Sequence, residues 1–256
     1  MTFDVTAAAY GRFMGRFSEP LAEEFVAFVG VAAGQRALDV GCGPGALTAR
    51  LVDRLGVDAV VGVDPSASFV AAARARFPGL DVREARAEAL PYADGSFDAV
   101  LAQLVVHFMD DPVTGLREMG RVCRPRGTVA TCVWDYGGGA GPLSPFWRAV
   151  HDLDPAAEGE SQLPGTREGH LDELAGKAGL VDVRSSALTV TLGFDSFADW
   201  WEPFTFGVGP AGGYVGRLSD ADRDALAARC AEVLGPTPFE VRASAWAVTA
   251  RATPAG

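Results

Sequence analysis

The chain has 256 residues, 48% of them hydrophobic, and a formal net charge of −11, enough apolar material for one α/β domain with an elaboration or for two small domains. The negative balance argues against nucleic acid as a partner, because phosphate backbones reward basic patches, and against docking on an anionic membrane. No apolar run approaches the length of a membrane span.

The first residues lack the basic-then-apolar order of a signal peptide, so the sequence predicts a cytoplasmic protein without membrane insertion. Cys42, Cys123, Cys132 and Cys230 are far apart and form no CxxC pair. They read as small buried hydrophobes in a reducing compartment rather than as a disulfide or zinc framework, and no metal is expected.

In chain order, the first 135 residues alternate between helical and strand patterns. Ser18, followed by Glu19, Pro20 and Leu21, predicts a capped helix running to about Val29. Ala37 to Val40 is a short apolar run that stops at a glycine cluster, as a buried strand does. Ala46 to Leu55 repeats apolar residues at helical spacing. Val60 to Val63 predicts a second strand ending at Asp64, and Ser66 to Phe77 an alanine-rich helix closed by Pro78-Gly79. Leu80 to Ala85 is expected as a third strand and Phe97 to Gln103 as a fourth. A helix from about Val113 to Cys123 follows, then a turn at Pro125-Arg126-Gly127 into a fifth strand, Thr128 to Trp134.

Strands separated by helices require crossover connections, so the sheet should be parallel and covered on both faces. Ligands of such sheets sit outside the carboxyl ends of the strands. After the flexible break at Tyr136 to Pro142 come an aromatic stretch, a helix near Thr166 to Ala178 and an alternating run from Val181 to Leu192. Asp195 to Phe239 is mostly helical, and Val241 to Thr253 alternates again. The expectation is one domain: N-terminal cap helices over 1–30, a cofactor-binding core over 31–135, and the remaining sheet over 136–256 with a helical insert at about 195–239.

Asp39-Val-Gly41-Cys-Gly43-Pro-Gly45-Ala46 joins the first strand to its helix, and glycines at alternate positions let a ligand lie against bare backbone. As GxGxxA the loop also satisfies a loose dinucleotide fingerprint, with Asp64 as the ribose acid. Asp39 counts against that reading, since its carboxylate would repel a pyrophosphate but suits a ligand carrying an ammonium and a sulfonium. Asp64 can accept hydrogen bonds from both hydroxyls of a ribose.

With these residues in view, the sequence resembles the class I S-adenosylmethionine-dependent methyltransferases, in particular the small-molecule branch that includes the quinone-biosynthesis C-methyltransferases. Four blocks carry the resemblance: ALDVGCGPGALT (Ala37 to Thr48), VVGVDPS (Val60 to Ser66), AEALPYADGSFDAVLAQLVVHFMDDP (Ala87 to Pro112) and REMGRVCRPRGTVA (Arg117 to Ala130). The resemblance implies a Rossmann-like, doubly wound, mostly parallel seven-stranded sheet with a reversed last strand and a helical lid insert. It implies that Gly41, Cys42 and Gly43 line the methionine and ribose portion of the cofactor, with Asp39 nearby, and that Asp64 and Pro65 lie at the ribose. The loop Arg86-Ala87-Glu88 would follow the adenine edge, and Gln103 and Leu104 would lie beneath the sulfonium. The family often has an aspartate where Arg86 stands, and an arginine cannot accept the adenine amino group.

The reaction so implied is transfer of a methyl group from S-adenosylmethionine to an O, N or C acceptor on a small molecule by in-line displacement, leaving S-adenosylhomocysteine. Alternatives are a nicotinamide-dinucleotide oxidoreductase and a domain that binds the cofactor without transfer. A base is needed only where the acceptor must lose a proton. His107, just past the fourth strand, is the candidate on the strength of a near-neutral pKa; its other reading is a packed histidine. Tyr10, Phe13, Met14 and Phe17 are either a segment folded over the cofactor, with Tyr10 as the contact, or a face packed on the sheet. The aromatic cluster Trp200 to Phe206 is either core or the lining of a pocket for an apolar or aromatic acceptor.

Overall fold

The computed structural model describes residues 7–253; the outermost part of the predicted N-terminal cap, residues 1–6, and residues 254–256 lie outside the described residues. Seven strands form one sheet: β1 (Ala37–Val40), β2 (Val60–Asp64), β3 (Asp81–Glu84), β4 (Phe97–Gln103), β5 (Cys123–Trp134), β6 (Val181–Phe194) and β7 (Phe239–Arg251). Their order is β3-β2-β1-β4-β5-β7-β6. Strands β1 to β5 pair in parallel, whereas β7 runs antiparallel to both β5 and β6. The sheet is therefore mixed, with its last strand reversed beside the sixth, as expected.

Alternation along each strand divides the apolar residues between two cores. Ala37, Val60, Ala99 and Leu101 face one side, with Leu21, Phe25, Leu47 and Leu51, which belong to α2 (Arg16–Val29) and α3 (Ala46–Leu55). Leu38, Val40, Val61, Val63 and Val100 face the other, under α5 (Pro112–Val122) and α7 (His170–Lys177). Both faces of β1 are thus buried, and its four residues read as a continuous apolar run broken only by Asp39.

Three local expectations change. Ser18 does not cap a helix. The N-terminal helical arm begins at Ala7, with α1 (Ala7–Tyr10) and a π-helical turn at Gly11–Gly15, and continues through α2 with Pro20 inside it. Proline marked a start in the sequence because it lacks the N–H that continues the ladder. Burial of Phe13, Phe17, Leu21 and Phe25, four residues apart on one stripe, outweighs that missing bond. Secondly, Pro125-Arg126-Gly127 is not a turn before β5 but an irregularity within it: pairing jumps from Phe97–Cys123 to Ala99–Thr128. Gly127 is required there, because a Cβ would come within 2.8 Å of the Asp98 carbonyl. Thirdly, the aromatic stretch after the glycine break is a helix, α6 (Ser144–Leu153), which buries Phe146, Trp147, Ala149 and Val150.

Between β6 and β7 lies the helical insert: α8 (Phe197–Trp201), a 3-10 turn (Glu202–Phe206), α9 (Gly209–Val215) and α10 (Asp220–Leu234). It lies on the same face as the N-terminal arm. Phe204 makes an edge contact with Phe13 at 4.9 Å and stacks on Phe146 at 4.6 Å. The cluster Trp200 to Phe206 is therefore largely core, with Trp200 and Phe204 buried. No described helix is long and apolar enough to cross a membrane.

Candidate functional site

The carboxyl ends of β1, β2 and β4 converge on the glycine loop. Asp39 pairs with Gly62 on one side and Leu101 on the other, so it occupies the middle of the sheet and is 1% exposed. The Thr48 hydroxyl donates to its Oδ2 at 2.6 Å. Burial pushes the Asp39 carboxyl up to about 7, against the lowering effect of the Thr48 bond and with a smaller push from Asp64. Asp64 closes β2. It accepts from the Gly43 amide through Oδ2 and from the Ser66 amide through Oδ1, both at 2.8 Å. Burial raises its carboxyl as well, while those two amides lower it. Neither carboxylate has an ion pair among the described residues.

The loop is held by its own backbone. The Gly41 and Cys42 amides donate to the Val63 carbonyl at 2.7 and 2.9 Å, and the Gly45 amide to the Cys42 carbonyl at 2.9 Å. Gly41 (φ +69°) has no room for a side chain, since a Cβ would meet Val105 at 2.4 Å; Gly43 (φ +52°) faces open space. Every loop N–H from 41 to 45 is thereby committed inside the protein, Pro44 having none. A pyrophosphate-binding loop needs such amides free to face the anion, and this one also sets a carboxylate at each end. That disposition disfavours the dinucleotide reading.

The other predicted residues take varied positions. Cys42 is buried against Gly62, and burial pushes its thiol well up, so it is inert lining. Pro65 follows Asp64 into α4 (Ala67–Arg76). Ala87 is buried, but its neighbours turn away from a free loop edge. Arg86 pairs with Asp110, and Glu88 accepts from the Asp110 amide at 2.8 Å, so together they tie the 86–88 loop to the segment before α5. Gln103 is buried. Its Nε2 donates to the Ser18 carbonyl at 2.8 Å, locking the N-terminal arm to the end of β4, while its Oε1 is buried without a partner. Leu104 takes a left-handed backbone, φ +61°, which turns the chain out of the sheet.

His107 departs from expectation. It sits in the 3-10 turn Val106–Phe108, buried, with Nδ1 unpartnered, and burial pushes its pKa down to about 3 rather than leaving it near neutral. The side chain from this turn that reaches a cavity is Phe108, its neighbour. That small inner cavity, about 40 Å³, is bordered by Tyr10, Leu104, Phe108, Trp134, Tyr136 and Glu160, and by the 208–211 stretch of the insert. Tyr10 meets Phe69 edge-on at 5.5 Å, and its phenol is pushed up to about 12 by burial and by the nearby Asp64 charge. It therefore stands between the cradle and the cavity. Sequence reasoning missed Phe108, Tyr136 and Glu160: two isolated aromatics and one acid in an acidic chain give no periodic signal.

The description "Methyltransferase domain" fits residues 38–131 of the chain. An uncharacterized methyltransferase of Mycobacterium tuberculosis is 39% identical over 135 residues, 53% of this chain and 52% of that protein. A demethylmenaquinone methyltransferase of Beutenbergia cavernae is 39% identical over 118 residues, 46% of this chain and 47% of the relative. The chain thus spans about half the length of the curated relatives it matches. The YcgJ protein of Bacillus subtilis superposes with a TM-score of 0.59 at 17% identity, covering 94% of this chain and 100% of YcgJ, a likeness of fold. The strand order, the reversed last strand and the glycine loop are those of the class I S-adenosylmethionine-dependent methyltransferase fold, and the methyltransferase-domain match lies over residues 38–131 of this chain.

Proposed function

We propose that the protein transfers a methyl group from S-adenosylmethionine to a small molecule by in-line displacement, and that the cradle of Asp39, Gly41, Cys42, Gly43, Asp64, Pro65, Gln103 and Leu104 holds the cofactor. The observation that carries this reading is the pair of buried carboxylates, Asp39 and Asp64, with no cationic side chain to neutralise them. Buried charges without partners are costly and call for a ligand of opposite sign. The cofactor is cationic at both its ammonium and its sulfonium. When bound it supplies an already activated methyl group.

The residues present fit that group. Gly43 opens onto free space, and each Asp64 oxygen, having accepted one amide, retains a lone pair for a ribose hydroxyl. The unpartnered Gln103 Oε1 is an acceptor placed where β4 ends. Ala87 lies along the adenine edge through its backbone in this reading, with Arg86 and Glu88 fixing the loop from outside. Chemistry then rests on alignment and exclusion of water, to which Tyr10, Leu104 and Phe108 contribute apolar walls. We further propose a cytoplasmic setting, which suits four free, buried cysteines.

Calorimetric titration with S-adenosylhomocysteine, alongside NAD⁺ and NADP⁺, tests the reading. One-to-one binding of the first and none of the others is expected. Binding of a dinucleotide alone would overturn it, and cofactor binding without any turnover against a broad acceptor panel would identify a non-catalytic domain.

A further inference from the structure

Outside the cradle, one buried acid has no role in what precedes. Glu160, 4% exposed, lies in the irregular segment between α6 and α7. The Trp147 indole N–H donates to its Oε2 at 2.8 Å, and its Oε1 has no partner among the described residues. No arginine, lysine or histidine pairs with it there either. A desolvated carboxylate held by one neutral donor is an uncompensated charge, and burial accordingly pushes it up to about 7.

Its surroundings specify what would compensate it. Glu160 borders the inner cavity together with the rings of Tyr10, Phe108, Trp134 and Tyr136. Aromatic faces around a carboxylate favour a cation, through the negative face of each ring as well as the charge. Leu104 and Tyr10 border the same cavity, so it abuts the end of β4 and the Asp64 side of the cradle. On its far side Glu160, with Tyr136 and Trp147, also borders an outer cleft of about 370 Å³ that includes Arg148 and His151. The carboxyl thus borders both a narrow aromatic space and a wider cleft.

Resting on the methyl-transfer reading above, we propose that Glu160 is a catalytic residue that binds and deprotonates the acceptor, and that the acceptor is an apolar or aromatic amine. The ammonium N–H proton passes to Glu160 Oε1. The freed nitrogen lone pair forms the new C–N bond to the methyl carbon as the electrons of the C–S bond return to sulfur. The products are an N-methylated ammonium, a neutral thioether and a protonated Glu160, whose proton leaves through the outer cleft. The inner cavity, at about 40 Å³, accommodates an amine head, while the body of the acceptor has room in the cleft that shares Tyr136 and Glu160.

The titratable groups facing Glu160 are Tyr10 from the N-terminal arm and Tyr136 from the loop after β5, with His151 and Arg148 across the cleft on α6. The rate should therefore rise with pH as Glu160 ionises. The test uses the full chain with methyl-labelled S-adenosylmethionine and a named panel: 2-phenylethylamine, tryptamine and hexylamine against 2-phenylethanol, 4-ethylphenol and 3-phenylpropionate. Transfer to amines alone is expected. E160Q should lose about 100-fold or more in transfer, the scale of a general base, together with the rising limb of the pH profile, while S-adenosylhomocysteine affinity stays unchanged. Loss of the rising limb with S-adenosylhomocysteine affinity unchanged separates this role from mere support of the indole. Should E160Q fail to fold, E160D carries the same comparison and should restore the rising limb at reduced rate. Transfer to the alcohol, phenol or carboxylate in place of the amines, transfer to none of the amines, or an active E160Q would each overturn the proposal. Failure of the wild type to bind S-adenosylhomocysteine would instead strike the cofactor reading beneath it.

Discussion

The two halves of the molecule bury charge in opposite ways. Between β1 and β5 the cradle is made of backbone: loop amides spent on Val63, Cys42 and Asp64 hold a carboxylate on either side of a bare glycine surface. Glu160, after α6, is a single carboxyl held by one indole donor from α6 and surrounded by rings that the N-terminal arm, the turn after β4 and the end of β5 bring to it. A backbone site demands glycine at fixed positions, so its sequence is constrained. A side-chain site can be built from many combinations of ring and acid. In the proposed reading, the contrast separates a part that recognises what is common to a reaction class from a part free to choose a substrate.

Substitutions can test how separate the halves are. The largest effect is expected from Phe204→Ala in the insert, which removes a ring stacked on Phe146 and touching Phe13. It should destabilise by about 3–5 kcal/mol in urea unfolding, yet leave S-adenosylhomocysteine affinity unchanged below the transition. Lost affinity would mean that the cover and the cradle are one unit. Next, Gly41→Ala meets both a left-handed backbone and the Val105 methyl, and should destabilise by about 2–4 kcal/mol. Gly207→Ala has the same sign of φ but open space around it, and should cost about 1 kcal/mol. Equal costs would deny the cradle its special packing.

Asp64→Ala should weaken S-adenosylhomocysteine binding by about 1.5–3 kcal/mol, the scale of hydrogen bonds to charged groups, as read by calorimetry. Unchanged affinity would remove the ribose assignment. A smaller effect, opposite in direction for folding and for binding, is expected at Asp39. Its folded pKa of about 7 lies above the ordinary 3.8, so ionisation penalises the unliganded fold progressively as pH rises from about 4 to about 7. Asp39→Asn should therefore raise the melting temperature at pH 8, do little at pH 4, and weaken cofactor binding. No gain at pH 8 would show that the charge is compensated within the fold. The smallest effect belongs to the exposed Arg12–Glu202 pair linking arm and insert; Arg12→Ala should change stability by less than about 1 kcal/mol.

The same contrast explains what could be read from the sequence. Strands β1, β2 and β4 and helices α3 and α5 announced themselves within a residue or two, because a strand buried on both faces must be continuously apolar and the glycine loop fixes where the next helix begins. Asp39 and Asp64 were legible as acids at strand ends. Within the expected cap helices the start was set at Ser18 because Pro20 carries a local start signal, whereas the Phe13, Phe17, Leu21, Phe25 stripe that carries the helix through it draws its stability from the sheet it packs against. His107 looked titratable by residue type, and the burial that pushes its pKa down to about 3 is not visible in the sequence. Glu160 was invisible because its meaning comes from Trp147, thirteen residues upstream on α6, and from rings contributed by three separate segments: the N-terminal arm, the turn after β4 and the end of β5.

The commitment of the Gly43 amide to Asp64 also has an entropic side. A loop of five residues with three glycines is among the most disordered segments a chain can contain when free, and fixing each backbone costs roughly 1–2 kcal/mol. Here that cost falls on folding, since Val63, Cys42 and Asp64 set the shape of the loop before any ligand arrives. In the proposed reading, the cofactor meets a surface already in its final form, so the free energy of contact goes into affinity rather than into ordering the loop.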